Sequence, residues 1–280
     1  MNEPLPACDL SFQPVVNPQP RHLTPAQIAF YNEHGYLMPF DIFTPAEAVA
    51  NRVYFDSLLQ QIRAANDGRD AYAINGYHTR CRGLYELATA PRILDHVADL
   101  VGPDIIVWGT HFFCKLPGDP KSVHWHQDAS YWPLSPARTV TVWLAIDDAD
   151  TGNSCMHFIP GTHNRGQLAY QEPTEPSVLW QEVVNAEQYG QPVADILRAG
   201  QMSLHADMLV HGSGPNRSDR RRCGLTIRYC PPSVRPLKAS WGQNAILCRG
   251  RDTTGYWQYP PPPTGEDLSP KNKPTAIGGN

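Results

Sequence analysis

Val123-His124-Trp125-His126-Gln127-Asp128 carries three side chains with metal-ligand chemistry at two-residue intervals. On an extended strand, residues two apart project from the same face, so 124, 126 and 128 are predicted to stand side by side. Short runs rich in β-branched and aromatic residues surround this stretch, at 105–115, 139–147, 155–160, 201–204, 208–211 and 223–230. Gly, Pro and Asn separate them, the texture of a β sandwich or barrel. Helical signals come earlier. Thr24-Pro25 and Thr44-Pro45-Ala46-Glu47 each pair an N-cap threonine with proline at the first helical position, the second with an acidic residue closing a capping box. The first helix takes Ile28, Phe30 and Tyr31 as its apolar face and stops at Gly35; the second runs to about Ala65; a third fits 91–101. Helices followed by strands do not make a βαβ alternation. The fold class expected is mainly β with flanking helices.

The chain of 280 residues is long enough for one elaborated β domain with a full core. Residues 1–22 read as a Pro-rich N-terminal arm, 23–258 as a single domain, and 259–280, with Pro260-Pro261-Pro262-Pro263, as a Pro-rich C-terminal tail. The polar stretch 164–198 reads as an insertion between strands or a lid. A net charge of −4 argues against a nucleic-acid partner, because Arg220-Arg221-Arg222 is the one compact basic cluster. Seven cysteines without a CxxC argue against a disulfide framework and for a reducing, cytoplasmic setting. The first residues lack a basic start and an apolar core, so a secretory signal is not expected, and without an apolar run of 18 residues neither is a membrane span.

Two histidines and one carboxylate make a face on a metal that leaves positions open, the arrangement of non-haem iron(II) oxygenases. His126 and Asp128 supply two of the three, and His211 the third. His124 is a rival: with His126 it would make a cupin-like pair, although no Glu follows between 129 and 171. His205-Ala206-Asp207 is a second H-x-D. It lies on the same local unit as His211, so His205 is expected beside the ligands and Asp207 in a turn. After the turn formers 212–221, Arg222, Gly224, Thr226 and Arg228 share one strand face. These residues are small or polar and should line a cavity, with Leu225 and Ile227 packed outward. An inward guanidinium calls for an anion, and a dicarboxylic co-substrate supplies one with bidentate geometry.

Leu23-Thr24-Pro25 with Gly35-Tyr36-Leu37, Val123 to Asp128, Val142-Trp143-Leu144-Ala145, Ile159-Pro160-Gly161-Thr162-His163, and His211 to Asn216 with Arg222 together resemble the phytanoyl-CoA dioxygenase family of iron(II)/2-oxoglutarate oxygenases. The likeness runs from about residue 23 to 255. It implies a double-stranded β-helix, a cupin-like jelly roll with helices packed outside. It implies Fe(2+) held by His126, Asp128 and His211, 2-oxoglutarate as co-substrate and O2 as oxidant. It further implies Arg222 and Ser213 on the distal carboxylate of 2-oxoglutarate, with Trp143 beside it. His163 falls in a turn that is structural in the family. Asn153-Ser154 departs from the usual Asn-Gly, a change expected to touch no ligand.

Related halogenases carry a small residue at the position of Asp128, so its presence points to hydroxylation or another oxidation, with succinate and CO2 as co-products. Trp125, Tyr131, Trp132, His78, Arg80 and Arg228 are the candidates to contact a small organic substrate, one with an anionic group. A coenzyme A thioester would need more basic residues than 217–222 offer. Two other functions stay open from the residues: a cupin-like metal protein using His124 and His126, and a non-catalytic jelly-roll interaction domain. Anaerobic titration with iron(II) and 2-oxoglutarate separates them.

Overall fold

The computed structural model describes residues 7–270; the first six residues of the expected arm and the last ten of the expected tail lie outside the described residues. Four helices, α1 (Pro25–His34), α2 (Pro45–Ala65), α3 (Arg82–Ala88) and α4 (Pro91–Val101), precede most of the sheet. Thr24 and Thr44 cap α1 and α2 through complete capping boxes with Gln27 and Glu47. Gly35 ends α1 at φ +86°, and a Cβ there would fall 2.6 Å from Nδ1 of His163, so both backbone and packing demand glycine. The short α3 was not evident in the sequence, because its N-cap Cys81 makes no side-chain capping bond.

Ten strands build the two main sheets: β1 (Tyr36–Asp41), β2 (Ile105–Lys115), β3 (Val123–His126), β4 (Val140–Ala145), β5 (His157–Phe158), β6 (Val193–Ala194), β7 (Gln201–Ala206), β8 (His211–Ser213), β9 (Arg222–Cys230) and β10 (Ile246–Arg249). The major sheet has the order β1-β7-β4-β9-β2-β10 and the minor sheet β3-β8-β5-β6. From β2 to β4 and again from β6 to β9, successive strands alternate between the sheets, which is the winding of a jelly roll. The 164–198 segment adds β6 to the minor sheet and forms a small hairpin pairing Tyr170 with Val183.

The two faces of the major sheet differ. Val142 and Leu144 on β4 and Leu225, Ile227 and Tyr229 on β9 face outward onto Phe55, Leu58 and Ile62 of α2 and Ile93 and Val97 of α4. Each such fully buried side chain contributes about 1.5–3 kcal/mol, which holds the helical layer on the sheet. The intervening residues face the minor sheet and line the cavity. Residues 7–22 are packed rather than free: Asn17 donates to the Asp99 carbonyl and Phe12 lies edge-on to His163 at 4.4 Å. The tail returns as well, with Leu268 buried and Glu266 accepting from the Tyr54 hydroxyl at 2.7 Å. No helix among the described residues is long and apolar enough to cross a membrane. All seven cysteines are unpaired.

Candidate metal centre

His126 ends β3 directly opposite His211, the first residue of β8, and their rings lie 4.1 Å apart. The sequence placed His211 at the end of a strand; it begins one instead. Asp128 does not lie on the strand either. The chain leaves β3 after His126 and enters a single 3-10 turn, Asp128–Tyr131. That turn brings the carboxylate back, with Oδ1 3.6 Å from His126 Nε2. One potential ligand atom from each of His126, Asp128 and His211 lies within 4.8 Å of the others, and all three residues are buried. The Nδ1 of His126 meets the His124 carbonyl at 2.8 Å and that of His211 meets the Leu209 carbonyl at 2.9 Å. Donation through Nδ1 fixes the tautomers and leaves both Nε2 lone pairs free, the state a metal requires. Burial pushes the Asp128 carboxyl up, but His126, His211 and Arg228 hold it well below the usual range, so it stays anionic. Burial, with His126 and His205 nearby, pushes His211 well down and keeps it neutral. The donor set therefore fits a divalent cation of the iron(II) class. Thr141 Oγ1 donates to Asp128 Oδ2 at 3.3 Å, a partner the sequence offered no reason to single out beyond its sharing a face with Trp143.

His124 does not join this group. The register between β3 and β8 slips, with Ser213 opposite Val123 rather than His124. This bulge turns His124 to the far side of the minor sheet, where Nδ1 faces Glu182 Oε1 at 3.2 Å. The same-face expectation for 124 and 126 is thereby corrected. Gln127 instead fastens the 164–168 segment: its amide donates to the Gly166 and Met208 carbonyls and accepts from Leu168 N–H.

Arg222 lies at one end of a narrow cavity that also exposes the three candidate ligands. It is 2 % exposed, so its charge must be met inside the protein. Its Nη2 donates to Ser213 Oγ at 3.0 Å and its Nε to the Ser154 carbonyl at 2.9 Å. Ser154 holds φ +67°, the left-handed geometry that glycine would take at this position. The Asn-Ser departure thus does reach the cavity, through a carbonyl that orients Arg222. Trp143 is buried, and its ring centre lies 5.7 Å from the Arg222 guanidinium. Lys115, unmarked in the sequence, is buried here too. Its amino group donates to the Ser213 and Gly214 carbonyls, and burial next to Arg222 pushes its pKa down to about 6.

At the other end stand His205 and Arg228. His205 Nε2 is 3.9 Å from Asp128 Oδ2, which places this residue beside the candidate ligands as expected. Asp207 lies in a turn and accepts from Thr139 N–H at 2.8 Å. The remaining candidates for substrate contact scatter. Trp125 points away from the cavity and donates to Glu187 at 3.2 Å. Tyr131 packs its ring 5.9 Å from that of His126, while its hydroxyl pairs with Gln181 of the insertion. Trp132 is buried against Trp108 beside Arg228. His78 is buried, with Nε2 2.8 Å from the Asn244 carbonyl. Arg80 is ion-paired to Asp267 of the tail.

The phytanoyl-CoA dioxygenase (PhyH) family model matches residues 31–224. Among curated proteins, the peroxisomal phytanoyl-CoA dioxygenase of Bos taurus is 27% identical over 153 residues, covering 52% of this chain and 45% of that protein. A probable alpha-ketoglutarate-dependent hypophosphite dioxygenase of Stutzerimonas stutzeri is 27% identical over 190 residues, covering 63% of this chain and 64% of the other. The chain thus spans between about half and two thirds of the length of these two relatives. Among solved structures, the apo form of the non-heme monooxygenase ThoJ superposes with a TM-score of 0.72 at 30% identity, covering 85% of this chain and 88% of that one. Family model and fold agree on the stretch that carries the buried His126, Asp128 and His211, and the chain belongs to the phytanoyl-CoA dioxygenase family.

Proposed function

We propose that the protein is an iron(II)- and 2-oxoglutarate-dependent oxygenase that hydroxylates a small organic substrate. The observation that carries this reading is one cavity with the His126–Asp128–His211 group at its centre and the Arg222–Ser213 pair at one end. His126, Asp128 and His211 would hold the metal. Arg222 and Ser213 would grip the distal carboxylate of 2-oxoglutarate, with Trp143 along its carbon chain. When bound, iron(II) with 2-oxoglutarate and O2 supplies the oxidising chemistry and leaves succinate and CO2. The chain's own share is orientation and exclusion of water: Thr141 steers the Asp128 carboxylate, and the two Nδ1–carbonyl bonds steer the imidazoles.

Hydroxylation is favoured over halogenation because Asp128 fills the position that a halide would need. The small cavity supports a small substrate, and an anionic one is consistent with Arg228 at its far end. The unpaired cysteines support a reducing compartment such as the cytoplasm.

Anaerobic addition of iron(II) and 2-oxoglutarate is expected to produce a weak visible charge-transfer band, and aerobic turnover to form succinate without chlorinated product in chloride buffer. Iron-loaded protein that shows no such band would overturn the reading; a chlorinated product would overturn its hydroxylase half.

A further inference from the structure

Arg228 is a cavity residue whose charge acts on the Asp128 carboxylate through space but is not met by any hydrogen bond. Asp128 would be matched by the metal and Arg222 by the co-substrate, both as read under Proposed function, on which this inference rests. Among the described residues, no hydrogen bond or ion pair is made by the Arg228 guanidinium, and its Nε is buried without a partner. Arg222, by contrast, has three partners, and Arg221 is paired with Asp147 and Asp56.

The fold holds Arg228 in place without satisfying it. The register of β9 against β2 slips between Arg228 and Tyr229, so that Trp108 is the extra residue. This bulge brings the Trp108 ring to the guanidinium at 5.6 Å, while Trp132 meets it at 5.2 Å. Two indoles fix the position of the group but accept none of its N–H bonds. Across the sheet, Arg228 pairs with Thr141, and Thr141 with His205, so these three form one row on the cavity face. His205 is 1 % exposed and neither ring nitrogen makes a hydrogen bond, Nε2 facing Asp128 Oδ2 only at 3.9 Å. Thr141 is already committed to Asp128. The row therefore offers unused hydrogen-bonding groups on either side of the metal carboxylate, at the opposite end from Arg222.

We propose that Arg228 is the specificity-determining residue for the substrate, which is a small monocarboxylic acid anchored by its carboxylate on this guanidinium, with His205 as the second contact. A buried unpaired guanidinium is costly, and a carboxylate matches its planar fork. A single guanidinium with no lysine beside it suits one carboxylate better than a phosphate dianion, and the narrow cavity shared with 2-oxoglutarate admits only a short acid. The carboxylate is an anchor and takes no part in the oxidation.

The test uses the iron(II)·2-oxoglutarate protein under anaerobic conditions, with butyrate, hexanoate and benzoate against butyramide, hexanamide and benzamide. Perturbation of the charge-transfer band gives a dissociation constant for each. At least one acid is expected to bind about tenfold or more tighter than its amide. Arg228→Gln is expected to erase that preference while the band itself still forms, and Arg228→Lys to restore part of it. Acids that bind no better than amides, or that leave the band unperturbed, would overturn the proposal, and the wild-type comparison stands even where a variant misfolds. Loss of the band in folded Arg228→Gln would also overturn it, by assigning Arg228 to the co-substrate. A wild-type protein with no band at all would instead overturn the oxygenase reading.

Discussion

Gly224 lies so close beneath the indole of Trp143 that a Cβ at 224 would fall 2.0 Å from Cζ2 of the ring. The two residues belong to neighbouring strands, β9 and β4; Trp143 lines the cavity, and Gly224 lies between the cavity-lining Arg222 and Thr226. A side chain at 224 would push the ring toward the space assigned to 2-oxoglutarate. Gly224→Ala is therefore expected to destabilise the fold by about 1–3 kcal/mol, the usual cost of overpacking. Trp143→Phe should recover part of that loss in the double variant. Denaturant melts of the four proteins measure it, and additive effects would show that the two residues do not collide.

Arg222 is held by Ser213, Ser154 and Phe113, so its direction is set before any ligand arrives. Removing it takes away the charge proposed to meet the distal carboxylate and leaves the metal group untouched. Arg222→Ala is expected to weaken 2-oxoglutarate by about 2–5 kcal/mol, the range for truncating one partner of a buried charge pair. Iron(II) affinity should hold. Anaerobic titration reads both quantities, and unchanged co-substrate affinity would show that Arg222 is misassigned.

The parts of this site that were legible in the sequence are those set by two-residue alternation and side-chain chemistry. Arg222, Gly224, Thr226 and Arg228 fall on one face of β9 because the strand is regular up to Arg228. The capped starts of α1 and α2 were legible because capping is local. What could not be read depends on irregular backbone or distant partners. The bulge in β3 separates His124 from His126, and the turn after β3, not the strand, delivers Asp128. Arg80 was a reasonable substrate candidate until Asp267, 187 residues away, paired with it. Trp125 points outward with Glu187, a partner supplied by the insertion. Ser154 carries its influence through a carbonyl, which no side-chain pattern reveals.

One contribution to the pH dependence of stability comes from His163, which is fully buried between Phe12 and the Asn32 carbonyl. Burial, reinforced by His34, lowers its pKa from 6.5 to about 4. Between these values the unfolded chain binds the proton and the folded one does not, so this residue makes stability rise with pH from about 4 to 6.5. Asp195 and Asp207, both raised to about 7 by burial, act in the opposite sense over the same window and, as two groups against one, outweigh the histidine in the sum of these three. The comparison of wild type with His163→Gln isolates the histidine. The stability advantage of wild type should grow by up to about 1.4 kcal/mol per pH unit across the window and level off above it. A pH-independent difference would place the histidine's proton uptake elsewhere.

Thr141 is the residue through which the major sheet reaches the metal group. It sits on β4 between Arg228 and His205 and gives its hydroxyl to Asp128 Oδ2. That bond occupies one carboxylate oxygen and leaves the other turned toward His126 Nε2. Thr141→Val keeps the branched shape that the strand packs around and removes only the donor. Outer partners of metal ligands are worth about 10–100-fold in metal affinity, so Thr141→Val should weaken iron(II) within that range. Its melting temperature without metal should stay close to wild type, because the freed Asp128 oxygen still faces His205. Thr141→Ser, which restores the hydroxyl but not the methyl, should bring the metal affinity back. If Val and Ser variants bind iron(II) equally well, the hydroxyl does not orient Asp128.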